Sequence, residues 1–155
     1  MPSTLESLRQ YVENTFPESI VASCREESCS LNLEGIPHRI IIKGEKACNS
    51  KICDCIVFVE TDESIRLCTV ELKSKRLHPR DIPEKLSNCA RIAFDVFEKC
   101  DIETPTPLFL VLHKDTKSSE HQVLSRKRVH FNGRNYHIGV MRCGSSLSKL
   151  LKGLE

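Results

Sequence analysis

Leu5, Leu8, Val12 and Phe16 recur at helical spacing near the start of the chain, and Pro17 closes the segment. An amphipathic helix is predicted there. The period of the apolar positions then changes. Ile40, Ile41 and Ile42 centre a strand from about Pro37 to Lys43, and the stretch from Asp54 to Lys73 reads as two strands joined by the polar turn Thr61-Asp62-Glu63-Ser64. A second helix is predicted from about Ile82 to Cys100, with Asp81 as its N-cap, Pro83 in the first turn and Glu84 completing a capping box. Pro105-Thr106-Pro107 opens a buried strand at Leu108 to Leu112. Asn132-Gly133 is a hairpin signal between Arg128–Phe131 and Tyr136–Met141, and Leu147, Leu150, Leu151 and Leu154 suggest a short closing helix. The predicted order is helix, three strands, helix, strand, with an added hairpin and helix.

The hairpin holds an electrostatic conflict. Centred on Asp62-Glu63, it pairs residues whose numbers sum to 125, so Asp54 faces Glu71 at a separation of about 5 Å. Strand alternation puts Lys73 on the same face. Both faces of the hairpin are otherwise mostly apolar, which suits the middle of a covered sheet. Carboxylates in that position repel and resist ionisation. Mg²⁺, which takes one or two carboxylates together with waters and substrate phosphates, would resolve the conflict. The plainer alternative is a Glu71–Lys73 ion pair with Asp54 solvated.

Asp54, a hairpin, and then Glu71-Leu72-Lys73 resembles the signature of the PD-(D/E)XK nuclease superfamily, which includes restriction endonucleases, Holliday-junction resolvases and RecB-like nucleases. The proline of the motif's name is absent, and Cys53 stands in its place. The resemblance covers roughly residues 34 to 113. It implies a restriction endonuclease-like α/β core of order α-β-β-β-α-β, with a central mixed sheet flanked by helices. It also implies Mg²⁺ or Mn²⁺ held by Asp54 and Glu71, with Lys73 orienting the attacking water. Family members often add an acid from the first helix, for which Glu13 is the candidate. RecB-like members carry a helical glutamine near the site, and the comparable residue here is Lys85.

Charge extends the picture. Residues 114 to 152 hold nine Lys or Arg against two acids, whereas residues 1 to 113 hold 14 against 18, an asymmetry hidden in the total of +2. A basic block suits phosphate-backbone contact. Lys114, Lys117, Arg126, Lys127, Arg128 and Arg134 are candidates there, with Asp115 to Gln122 read as a solvated loop. Lys75, Arg76 and Arg80, with His78, form a second basic cluster after the motif. Nucleic acid, with DNA first, is the expected partner, and a homodimer or protein partner would supply any specificity that one small domain lacks.

The chain has nine cysteines. Met1-Pro2-Ser3-Thr4 runs directly into a segment carrying Glu6 and Arg9, so no signal peptide is expected. No run of eighteen apolar residues is present, so no membrane span is expected. A cytoplasmic protein with reduced thiols follows. Cys68, Cys89, Cys100 and Cys143 sit inside apolar patterns and read as small packing groups, and Cys53 and Cys55 flank Asp54 on the face opposite it. Cys24, Cys29, Cys48 and Cys53 could alternatively hold zinc or an iron–sulfur cluster, although none has the two-residue spacing of common zinc sites. The chain lacks a phosphate-binding glycine loop, a dinucleotide fingerprint and a G-x-S-x-G elbow, and aromatic residues make up only 5%. One domain over residues 1–155 is expected. Three functions remain: a Mg²⁺-dependent nuclease, a non-catalytic nucleic-acid- or partner-binding module on the same fold, and a metal–thiolate protein.

Overall fold

The computed structural model describes residues 3–62, 64–73, 79–114 and 118–153. Helix α1 (Thr4–Thr15) starts where Ser3 accepts a hydrogen bond from the Glu6 N–H, and it buries Leu5, Leu8 and Val12. Three two-residue strands follow, β1 (Ile20–Val21), β2 (Arg25–Glu26) and β3 (Cys29–Ser30). They are too short to leave a periodic signal in the sequence. Next come β4 (Arg39–Lys43), the single turn α2 (Gly44–Ala47), and the predicted hairpin as β5 (Cys55–Thr61) and β6 (Ser64–Lys73). Helix α3 (Ile82–Lys99) leads to β7 (Leu108–His113), α4 (Ser118–Arg126), β8 (Arg128–Phe131), β9 (Arg134–Arg142) and α5 (Leu147–Gly153). The predicted succession of helix, three strands, helix and strand is present as α1, β4, β5, β6, α3 and β7.

Two local expectations are corrected. Asp81 ends a 3-10 turn over Pro79–Asp81 and has helical dihedrals, so its side chain makes no cap to α3. Asp81 and Glu84 both bond the Lys51 ammonium instead, at 3.4 and 3.2 Å. Of the segment read as a solvated loop, 118–122 begin α4, a polar helix anchored in the core by Leu124, and 115–117 lie outside the described residues. The Asn132-Gly133 turn is as expected: φ is 49° and 77°, the pair of positive values a type I′ hairpin needs.

Seven strands form one mixed sheet in the order β1-β4-β5-β6-β7-β9-β8. β6–β7 and β7–β9 are parallel, and the other neighbours are antiparallel. β6 is the fourth strand of the seven, and apolar residues cover it on both sides. One face packs Ile56, Phe58, Leu67, Phe109 and Val111 under α1, α3 and α4. The other packs Val57, Val70, Leu72 and Leu112 against residues 24–36 and α5. No helix among the described residues is long and apolar enough to cross a membrane.

Candidate active site

The hairpin register is the expected one: Cys55 pairs with Val70, Ile56 with Thr69, Phe58 with Leu67 and Thr61 with Ser64, each pair summing to 125. Regular pairing stops at Cys55, and Asp54 lies one residue beyond it. The Leu72 N–H donates to Asp54 Oδ2 at 2.7 Å, fixing this carboxylate against the end of β6. The Asp54 carbonyl accepts from the Gly44 N–H at 2.9 Å.

Glu71 is 1% exposed at the centre of the sheet. Its Oε2 meets Lys73 Nζ at 3.6 Å and Lys85 Nζ at 3.1 Å, and each lysine side chain remains 27% exposed. Lys73 reaches it from the same strand, and Lys85 from the first turn of α3. Asp54 lies within hydrogen-bonding reach of Glu71. Its carboxyl is pushed up to about 7, first by burial and then by the negative charge of Glu71, against the opposing pull of the Leu72 N–H and the Lys73 ammonium. Of the plainer alternative, the Glu71–Lys73 ion pair is present, whereas Asp54 is partly buried and bonded to the Leu72 N–H and so is not merely solvated.

Three contacts hold the Asp54 segment in place. Gly44 packs so closely that a Cβ there would collide with the Cys53 carbonyl oxygen. Asn88 Nδ2 on α3 donates to the Lys51 carbonyl at 2.7 Å. Cys53 is disulfide-bonded to Cys89, one helical turn after Lys85 on α3. The bridge links the segment carrying Asp54 to the helix carrying Lys85. The sequence pattern did not single out Gly44, and it read Cys89 as a free packing thiol, a reading the bridge corrects. Both act through tertiary approach, for which one chain carries no periodic signal.

The cysteine expectations change most. Cys29–Cys143 and Cys53–Cys89 are disulfides, so four of the nine cysteines are not reduced thiols. The proposed metal set of Cys24, Cys29, Cys48 and Cys53 is overturned, because two of its members are covalently committed elsewhere; Cys24 and Cys48 remain free. Disulfides persist in oxidising surroundings, so the cysteine content no longer argues for the cytoplasm. Cys53 also lies on the face of α3 and not with Cys55 on the opposite face, because the chain leaves strand geometry before residue 55. Cys68 does behave as a packing thiol: burial pushes it up to about 12.

Glu13 is exposed on α1. Among the described residues, no three His, Cys, Asp or Glu side chains group in a way suited to a metal, so Glu13 does not join Asp54 and Glu71. The two carboxylates still fit Mg²⁺, which needs one or two and fills its octahedron with waters and phosphate oxygens. A cation between them would also replace the proton that burial and their repulsion retain on Asp54.

The basic candidates are dispersed. Lys75, Arg76, His78 and Lys117 lie outside the described residues. Arg80 is exposed beside the start of α3, and Lys114 is exposed with its ammonium 3.1 Å from Ser28 Oγ. Arg126 and Lys127 lead into the edge strand β8, where Arg128 bonds the Ser125 and Lys127 carbonyls at 3.1 Å each. Arg134 begins β9, six residues before Val140, which is in register with Val111 and through it with Glu71. At the rise of a strand, that places Arg134 about 20 Å down the sheet from the acid pair.

Comparison with protein-family models, with curated proteins and with solved structures returns no match to this chain.

Proposed function

We propose that the protein is a metal-dependent nuclease of the PD-(D/E)XK type, hydrolysing phosphodiester bonds of nucleic acid, with DNA the expected substrate. One observation carries the reading: two carboxylates in hydrogen-bonding reach at the end of the central strand, one of them pushed up to about 7, flanked by two ammoniums. The succession α1, β4, β5, β6, α3 and β7 around a mixed sheet supports a restriction endonuclease-like core.

Asp54 and Glu71 would hold Mg²⁺ or Mn²⁺, which when bound supplies Lewis-acid polarisation of a phosphoryl oxygen and a more acidic water. The rest of the chemistry belongs to the chain. Lys73 reaches solvent beside Glu71, where its ammonium orients the attacking water and offsets the charge that grows on the phosphate. Lys85 holds Glu71 Oε2 and so fixes the direction of that carboxylate, a positioning role. Leu72 does the same for Asp54 through its N–H.

A second reading has its own observation. Both ammoniums bond the same oxygen of Glu71, so two cations already balance two acids without a metal. On that reading the chain is a non-catalytic module that binds nucleic acid or a protein partner.

Incubation of the purified protein with plasmid DNA, single-stranded DNA and RNA in Mg²⁺ or Mn²⁺ separates the two. The nuclease reading expects cleavage that a chelator stops and that both Asp54→Asn and Lys73→Ala abolish, with the circular dichroism spectrum retained. Intact substrates in both metals, with binding preserved, would establish the second reading.

A further inference from the structure

The parallel register of β6, β7 and β9 aligns one residue from each strand at the end of the sheet. Lys73 pairs with His113, and His113 pairs with Arg142. Alternation from Glu71, Val111 and Val140 puts all three on the face covered by α3 and α4. The row starts at the acid pair and runs across the sheet, away from β5.

Polarity at a strand end is ordinary, but on the helix side it sets in before the paired strands end. One rung earlier, on the opposite face, the same three strands place Leu72, Leu112 and Met141 in register, with Leu72 and Leu112 only 3% and 0% exposed. The apolar layer beneath therefore continues under the row, while the layer on the helix side stops at Val111 and Val140. Carboxyl ends of parallel strands are also where open α/β sheets receive ligands.

We infer that Lys73 and Arg142, spaced across the buried His113, form a track for the backbone of a phosphodiester strand leading away from Asp54 and Glu71. The inference rests on the nucleic-acid substrate proposed above. Two strand spacings separate Lys73 from Arg142, about 10 Å, a span of two to three phosphates at about 3.4 Å of rise each. Lys73 and the exposed Arg142 supply the cations at its two ends. His113, 3% exposed, is the buried floor between them. Arg142 is the specific new assignment: it anchors the strand beyond the cleavage point, and it touches neither carboxylate of the acid pair through any described contact.

Binding without cleavage tests the track. Labelled single-stranded DNA, duplex DNA and RNA are titrated by fluorescence anisotropy in chelator-containing buffer over a range of salt, with Arg142→Ala and Arg142→Lys. Arg142→Ala should weaken binding roughly five- to tenfold at 0.1 M salt and make the log–log salt slope shallower by about 0.7–0.9, the loss of one phosphate contact. Arg142→Lys should restore the slope. Wild-type affinity and slope in Arg142→Ala would overturn the track, as would absence of binding by the wild type to all three probes. The two proposals fail separately. A wild type that binds through Arg142 but cuts nothing retains the track and loses the nuclease reading. Cleavage with an unaltered salt slope in Arg142→Ala does the reverse.

Discussion

The ammonium of Lys85 lies 3.1 Å from Glu71 Oε2, closer than the 3.6 Å approach of Lys73 from the same strand as Glu71. The firmer hold on the central carboxylate thus comes from a helix and not from the motif around it. Lys85→Met keeps the aliphatic stem and removes the charge. With Lys85 27% exposed, the expected loss is about 1–2 kcal/mol, or roughly 2–8 °C in Tm. Cleavage should fall about 10- to 100-fold, as for other groups that orient a metal-holding side chain. Lys85→Gln, which keeps a donor, should recover part of the activity. A Lys85→Met protein with unchanged single-turnover rate would remove the positioning role.

Asp54 sets the pH dependence of the metal-free protein. Its carboxyl is pushed up to about 7 in the folded state, against about 3.9 unfolded, so the folded state binds the extra proton between those values. Stability therefore falls as pH rises from about 4 to about 7 and is flat above, opposite to the trend for a salt-bridged carboxylate. The stake is on the order of 2–4 kcal/mol. Asp54→Asn should abolish the slope and raise Tm at pH 8. Mg²⁺ at pH 8 should raise Tm in the wild type only, and equal Tm shifts in both proteins would place the cation elsewhere.

The hairpin site was legible because its geometry is local. A single turn fixes the register that brings Asp54 to Glu71, and alternation then fixes Lys73. Lys85 was legible only as a departure within a family motif, since its reach to Glu71 depends on how α3 docks on β6. Cysteine spacing does not encode connectivity, so the bridges from Cys29 to Cys143 and from Cys53 to Cys89 could not be read. The apparent capping box failed for a related reason: Lys51, thirty residues before Asp81, competes for its carboxylate. His113 and Arg142 share a row through parallel pairing between strands distant in sequence, which no short-range pattern records.

Gly44 offers a test of how firmly the Asp54 segment must be held. An added methyl collides with the Cys53 carbonyl, a backbone atom that moves only if the segment moves. Gly44→Ala should cost about 1–3 kcal/mol as overpacking. It should also reduce the Tm increase produced by Mg²⁺ at pH 8, because Asp54 receives the Gly44 N–H on its own carbonyl. Destabilisation with the full Mg²⁺ response would confine the role of Gly44 to packing.

The two disulfides allow stability and site geometry to be separated. Cys29–Cys143 closes a separation of 114 residues and Cys53–Cys89 one of 36, so loop entropy assigns the longer bridge about 5 kcal/mol and the shorter about 4. Only the shorter joins the segment of Asp54 to the helix of Lys85. Intact mass before and after thiol alkylation should first show both bridges. Paired Cys→Ser substitution, which leaves no stray thiol, should then lower Tm at least as much for Cys29 and Cys143 as for Cys53 and Cys89. Cleavage, assayed well below either Tm, should follow the opposite order: near wild type without Cys29–Cys143, and reduced about 10-fold or more without Cys53–Cys89, as for lost support around a metal site. Equal activity in the two variants would mean that Cys53–Cys89 acts through stability alone, leaving Gly44 and Asn88 to hold Asp54 opposite Glu71.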